Sequence, residues 1–387
     1  PPEAQIAIAT AEKEPADYCF PNALEAIEAL QCVVDFAGKA PKALYYLGNL
    51  WYDKRRYPTA IAAWERSSRE DETFPTVWRN LSLAYFNKMN RPDEAVALLE
   101  KAFRLDHTDA RVLMELDQLY KRLNRPHIER LCFLEQHIDI VMTRDDLYLE
   151  YVTLLNQTGQ YREAIRRIDQ RKFHPWEGGE GKVPAQYQLA RLELAKELIN
   201  RKKYDDALAL IDECYIYPTH LGEGKLPGAQ ENDFNYYKAY ILQQQGRPEE
   251  AHSLFVKACS GNSQPAAAMY YNDQKPDKIF YQGLAYRKLG EEEKARSRFN
   301  QLITYGEEHL FDRFKMDYFA VSLPDLLIWE DDMDKKNRIH CNYLMALGHL
   351  GLGNRTKAEH FFDIAASMDN NHQGVQIHRK LMNTILS

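Results

Sequence analysis

Apolar residues recur along most of this chain at helical spacing, in paired segments separated by short polar turns. Leu44-x-x-Leu47-Gly48-x-x-Trp51 is followed by Ala60-x-x-x-Trp64, and Trp78-x-x-Leu81-Ser82-x-x-Tyr85 by Ala95-x-x-x-Leu99. Such i, i+3, i+4, i+7 rhythms belong to amphipathic α-helices. The second half of the pattern returns as Ala164-x-x-x-Ile168, Ala207-x-x-x-Ile211, Ala251-x-x-x-Phe255, Ala295-x-x-x-Phe299 and Ala358-x-x-x-Phe362. The pattern predicts tandem hairpins, each of a helix A and an antiparallel helix B. Small residues on A (Gly48, Ala195, Ala239, Gly283, Ala346) face the alanines on B and let the backbones approach. The large residue four places later fills the space beside them. Gly159, Gly246 and Gly290 stand where an A helix stops in the left-handed conformation.

The fold class expected is all-α, a superhelical α-α solenoid of about eight hairpins. One unit is degenerate: Leu113-x-x-Leu116-x-x-x-Tyr120 supplies its helix A, but Glu129-Arg130 stands where the small residue belongs. Residues 22–36 predict a leading helix, and 374–386 a closing one, because the open end of a stacked array exposes core. The organisation expected is a 1–40 N-terminal segment with a capping helix, 41–170 regular repeats, 171–370 insert-expanded repeats and a 371–387 C-terminal capping helix.

The spacing of the B-helix alanines changes along the chain. From Ala60 to Ala95 is 35 residues, and from Ala95 to Ala164 is 69, or two units. From Ala164 to Ala207 is 43, then 44 to Ala251, 44 to Ala295 and 63 to Ala358. The additions fall after helix B and before the next helix A, at about 172–185, 216–231, 260–276 and 304–337. Equivalent loops of a solenoid stack on one edge, so the second half should carry a thickened rim. Two inserts share a string: Gly179-Glu180-Gly181-Lys182-Val183-Pro184 and Gly222-Glu223-Gly224-Lys225-Leu226-Pro227. The string either routes the chain into the next helix or places Lys182 and Lys225, with Glu180 and Glu223, near helix N-termini. It is no phosphate loop, because Val or Leu follows the lysine. Trp176, Tyr271, Asp273 and Trp329 add aromatic plates and carboxylates to the rim. That mixture fits a sugar or a peptide pocket, or else aromatic packing beneath long loops with solvated acids.

The paired motifs resemble those of the tetratricopeptide-repeat superfamily over about residues 41–370. The resemblance implies a generic holder of peptides and proteins. The runs Phe173–Lys182 and Asp317–Asp325 resemble one bacterial family that carries such repeats behind an upstream β-rich domain of unknown function, similar to carbohydrate-active modules. That implies a sugar-metabolism setting and a possible contact with such an upstream domain. The superfamily also implies that Tyr45, Asn49, Arg79, Tyr236, Tyr240, Phe280 and Tyr343 face a concave groove suited to an extended peptide or helix. The opposite reading is a tightly wound array that buries them. Against the superfamily's carboxylate clamp, Asn49, Asn80 and Arg111 match, whereas Tyr45 and Glu115 do not.

Composition narrows the chemistry. The 387 residues carry a formal charge of -7 and no basic block, which argues against nucleic acid as a partner. No run approaches the roughly 20 apolar residues of a membrane helix. Six scattered cysteines form no C-x-x-C pair and twelve histidines no H-E-x-x-H, so neither metal nor cofactor is expected. No G-x-S-x-G elbow occurs, and no catalytic residue is assigned. The carboxylates of the rim leave two-acid hydrolysis as a lesser reading. The chain opens Pro1-Pro2-Glu3 with no signal-like segment. The sequence therefore points to a soluble protein, cytoplasmic or periplasmic, monomeric through its end caps. Its expected function is non-enzymatic protein or peptide binding; the alternative is carbohydrate or another small ligand at the rim.

Overall fold

The computed structural model describes residues 12–13, 22–176, 178–267, 273–313 and 328–382. Among them are nineteen α-helices, one 3-10 turn at Thr219–Leu221 and no strand. The fold is an all-α helical repeat of the α-α solenoid class.

The chain divides into two compact units. The first comprises Pro1–Leu123 with Ile328–Glu330, and the second Asn124–Leu327 with Asp331–Ser387. In the first unit α1 (Glu25–Phe36) precedes the hairpins α2 (Pro41–Asp53)/α3 (Tyr57–Glu70) and α4 (Pro75–Asn87)/α5 (Pro92–Leu105), followed by α6 (Ala110–Arg122). Proline stands in the first turn of α2 to α5, where its missing N–H costs nothing. Asp109 caps α6, accepting from the N–H groups of Arg111 and Val112.

The second unit begins at α7 (His127–Gln136) and the short α8 (Ile138–Val141). Then come α9 (Asp145–Gln157)/α10 (Tyr161–Asp169), α11 (Lys182–Asn200)/α12 (Tyr204–Cys214), α13 (Asn232–Gln244)/α14 (Pro248–Ala258), α15 (Pro276–Lys288)/α16 (Glu292–His309) and α17 (Met333–Gly351)/α18 (Arg355–Met368). The last helix is α19 (Gln373–Leu381).

The hairpin contacts have the anticipated chemistry. The B-helix alanines 60, 95, 164, 207, 295 and 358 are all 0% exposed, and Ala251 is 2%. A Cβ on Gly48 would stand 2.2 Å from the Trp64 indole, and one on Gly283 2.4 Å from the Phe299 ring. Both separations are below any real contact, so these glycines set how closely A and B approach. Gly159, Gly246, Gly290 and Gly353 have φ of 78°, 75°, 80° and 80° at the A–B turns. Elsewhere the same turn is made without glycine, by Arg55, Asn90, Asn124 and Lys202 at φ of 58°, 51°, 55° and 59°.

Long connections follow α10, α12, α14 and α16, and α11, α16 and α17 extend partly into the inserts. The first Gly-Glu-Gly-Lys string opens α11 directly. The second stays in the connection and ends before α13 begins at Asn232.

Candidate functional site

In the second unit the two related strings meet. The Phe173 N–H donates to the His220 carbonyl at 2.8 Å, and the Gly181 N–H to the Glu223 Oε2 at 2.7 Å. Between them opens a cleft of about 280 Å³ lined by His174, Trp176, Gly179, Glu180, Val183 and Glu223, among others. A Cβ on Gly179 would lie 2.3 Å from the Trp176 indole, so the ring lies flat on bare backbone. Burial raises the Glu223 pKa, the Gly181 N–H opposes the rise, and Glu180 reinforces it. At the cleft edge Asp145 accepts from the His174 N–H at 2.8 Å and from Arg171 at 2.6 Å. Burial alone would raise the Asp145 pKa, but these donors hold it below its ordinary value.

Trp176, Glu180 and Glu223 are thus brought together, whereas other rim candidates are placed elsewhere. Lys182 is exposed at the first turn of α11. Lys225 donates to the Tyr215 carbonyl at 3.0 Å and pairs with Glu231. The main chain of Asp273 accepts from Gln230 at 3.0 Å. Tyr271 and the run 317–325 lie outside the described residues.

Trp329 belongs to the first unit and is fully buried there. Its Nε1–H donates to the Glu115 carbonyl at 3.0 Å, and its ring meets Phe86 edge-on at 5.3 Å. Asn87, at the end of α4, reads the main chain on both sides of it. Its Nδ2 donates to the Ile328 carbonyl at 2.7 Å, and its Oδ1 accepts from the Glu330 N–H at 2.9 Å. Arg122 on α6 donates to the Trp329 carbonyl at 2.9 Å. Lys88 pairs with Glu330. Burial disfavours the charge on Lys88, yet Glu330 holds its pKa above the ordinary value. Burial raises the Tyr52 phenol beside this pair, with Glu330 adding to the rise. The A helices α4 and α6, with Lys88 just beyond α4, therefore hold the bent tripeptide Ile328–Glu330 by main chain, side chain and charge.

Residues 75–109, the α4/α5 hairpin, match a family model described as Tetratricopeptide repeat, and residues 279–305, on α15/α16, match a second with the same description. Two of the hairpins are therefore similar to tetratricopeptide repeats. Solved structures with similar helical arrangements include YrrB, a TPR protein with an unusual peptide-binding site, at 15% identity and a TM-score of 0.37, with 49% of this chain and 91% of that one covered. Naa15/Naa10 bound to HypK-THB aligns at 12% identity and a TM-score of 0.41, with 92% of this chain and 63% of that one covered. A tetratricopeptide repeat protein from Parabacteroides merdae aligns at 15% and 0.31, over 67% of this chain and 97% of that one.

The tetratricopeptide clamp positions are spent internally. Asn49 Oδ1 accepts from the Trp64 indole at 3.0 Å and from Asn80 at 2.8 Å. Arg79 donates to Asn80 at 3.0 Å and grips both oxygens of Glu115 at 2.7 and 2.6 Å. Arg111 adds a 3.0 Å contact to the same carboxylate. Glu115 is fully buried. Of the remaining groove candidates, Tyr45 packs edge-on to Phe74 in the first unit's core. Tyr236, Phe280 and Tyr343 are buried in the core of the second unit, and Tyr240 is half-buried.

The repeat's irregular unit supplies residues that motif reading passed over. Arg130, where a small residue was expected, is 1% exposed. It donates to Asn371 at 2.7 Å and to Glu150 at 2.8 Å. The Gln157 side chain donates to the Asn371 carbonyl at 2.8 Å, Gln186 and Gln373 exchange bonds at 2.8 and 3.0 Å, and Tyr343 meets His378 at 3.0 Å. The C-terminal segment thus packs on α18 and also runs back to residues of α7, α9 and α11. The break in the repeat at Glu129-Arg130 was the sequence signal for that socket. Among the described residues no group of three metal-ligating side chains occurs, and no helix is long and apolar enough to cross a membrane.

Proposed function

We propose that this chain is a non-enzymatic repeat scaffold that binds a protein or peptide on the A-helix face of its first unit. One observation carries the reading: that face engages Ile328–Glu330 through the main-chain pairs to Asn87, the Trp329 seat and the Lys88 pair. Tetratricopeptide-like hairpins and a chain segment held by A helices are the parts of a peptide receptor. Selection of a random peptide library against the full chain tests it. Enrichment of peptides that bind the chain and fail on Asn87→Ala supports the reading; no enrichment overturns it.

A second reading rests on the cleft. Trp176 lying flat beside Glu180 and Glu223 is an arrangement suited to a small polar ring such as a sugar. Oligosaccharides that raise the melting temperature of the chain but not of Trp176→Ala would support it. No shift with any glycan would remove it.

A further inference from the structure

We infer that the seat formed by the end of α4 and by α6 is a receptor for a short peptide carrying tryptophan followed by an acidic residue, and that Ile328-Trp329-Glu330 is an internal occupant which such a peptide displaces. The inference rests on the scaffold reading above and specifies its ligand.

Each contact reads a separate feature of the occupant. The Asn87 carboxamide bonds the carbonyl of one residue and the N–H of the residue two places on, across a bent tripeptide. That contact reads backbone and no side chain. The Trp329 indole fills a closed pocket, and its buried N–H finds an acceptor in the second lone pair of the Glu115 carbonyl, which also takes the helical N–H of α6. A phenylalanine ring fills less of the pocket and makes no such bond, so the pocket favours tryptophan. Lys88 stands over the following side chain and favours a carboxylate there. None of these features is specific to residues 328–330 of this chain; a segment of another protein with the same order of groups satisfies them equally. The occupant is tethered, so it competes at high effective concentration and lowers the apparent affinity for anything outside.

The probe is fluorescent Ac-Ile-Trp-Glu-Asp-Asp-NH2, titrated into the full chain by anisotropy. Wild type should bind weakly. Trp329→Ala, which vacates the seat, should bind at least tenfold more tightly, and the double variant Trp329→Ala/Asn87→Ala should lose that gain. A peptide with alanine for tryptophan should not bind either protein. Equal affinity of wild type and Trp329→Ala overturns the inference. Should Trp329→Ala fold poorly, Lys88→Glu keeps the tryptophan seat and carries the test. That variant should prefer Ac-Ile-Trp-Lys-Asp-Asp-NH2 over the glutamate peptide, reversing the wild-type order, and an unchanged order overturns the inference. Selected peptides that lack tryptophan and bind regardless of Asn87 would sink this inference and leave protein binding by the scaffold standing.

Discussion

The Trp329 indole and the Glu115 main-chain carbonyl are joined at 3.0 Å although 214 positions separate them in sequence. The indole is 0% exposed, so its removal leaves a cavity and loses the bond to Glu115. Trp329→Ala should destabilise the first unit by about 3–5 kcal/mol. Trp329→Phe keeps most of the volume and should cost nearer 0.5–1.5 kcal/mol, roughly the net worth of the lost indole hydrogen bond. Urea unfolding, read together with amide exchange in α4 and α6, measures both. Loss below about 1 kcal/mol for the alanine variant would show that the seat does not hold the ring.

Arg79 and Glu115 form a bidentate pair at 8% and 0% exposure. Removing one partner leaves the other charged and buried. Glu115→Leu should therefore cost about 3–5 kcal/mol, and Arg79→Met/Glu115→Leu should recover most of it. Denaturation midpoints of the two single variants and the double variant decide this. A double variant as unstable as Glu115→Leu alone would contradict it.

Much of this was legible in the sequence for a definite reason. The alanines and the large residues four places on report helix-to-helix contact, and that contact is local to each hairpin. Gly48 and Gly283 were readable because no other residue tolerates Trp64 or Phe299 so close. Convergence of Trp176, Glu180 and Glu223 was legible because two inserts repeat one string. The seat was not legible. Trp329 lies within the longest insert, where no repeat pattern fixes its partners, and Asn87 and Lys88 sit at the end of an A helix where repeat patterns are permissive. The pairing of a loop tripeptide with an asparagine 241 and 243 positions away follows from tertiary placement alone. Arg55 and Lys202 were missed at the A–B turns because neither residue type favours positive φ.

Those turns give a stabilising substitution. Lys202 is exposed at φ 59°, a conformation that costs an L residue about 1–2 kcal/mol relative to glycine. Part of that gain is offset by the greater freedom of glycine in the unfolded chain. Lys202→Gly should raise stability by about 0.5–1 kcal/mol. The converse change, Gly159→Ala at φ 78°, should lower it by about 1 kcal/mol, with no steric clash to add. Melting temperatures moving in the opposite senses would contradict the turn assignment.

Acid should destabilise the second unit. Burial pulls the His340 pKa from 6.5 to about 4, although its Nε2–H donates to the Ala266 carbonyl at 2.7 Å. Asp273 favours the charged ring and His372 opposes it. Burial lowers His372 and His378 as well. Between about pH 6.5 and pH 4 the unfolded chain accepts a proton that folded His340 refuses, so stability falls as pH falls through that window. Above it the group contributes no slope. The loss attributable to His340 is roughly 3 kcal/mol, at about 1.4 kcal/mol per pKa unit. His340→Gln should flatten the stability–pH curve over this range by a similar amount. A curve that is the same for wild type and variant would show that His340 does not carry the slope.

The claim that the A-helix face of the first unit is the binding surface is tested most directly by hydrogen–deuterium exchange of the full chain with and without a selected peptide. The account predicts altered protection confined to the C-terminal turns of α2, α4 and α6, together with faster exchange at residues 328–330 as the internal segment leaves. Protection that appears on the α11–α12 inserts instead, or no change at residues 328–330, would contradict it.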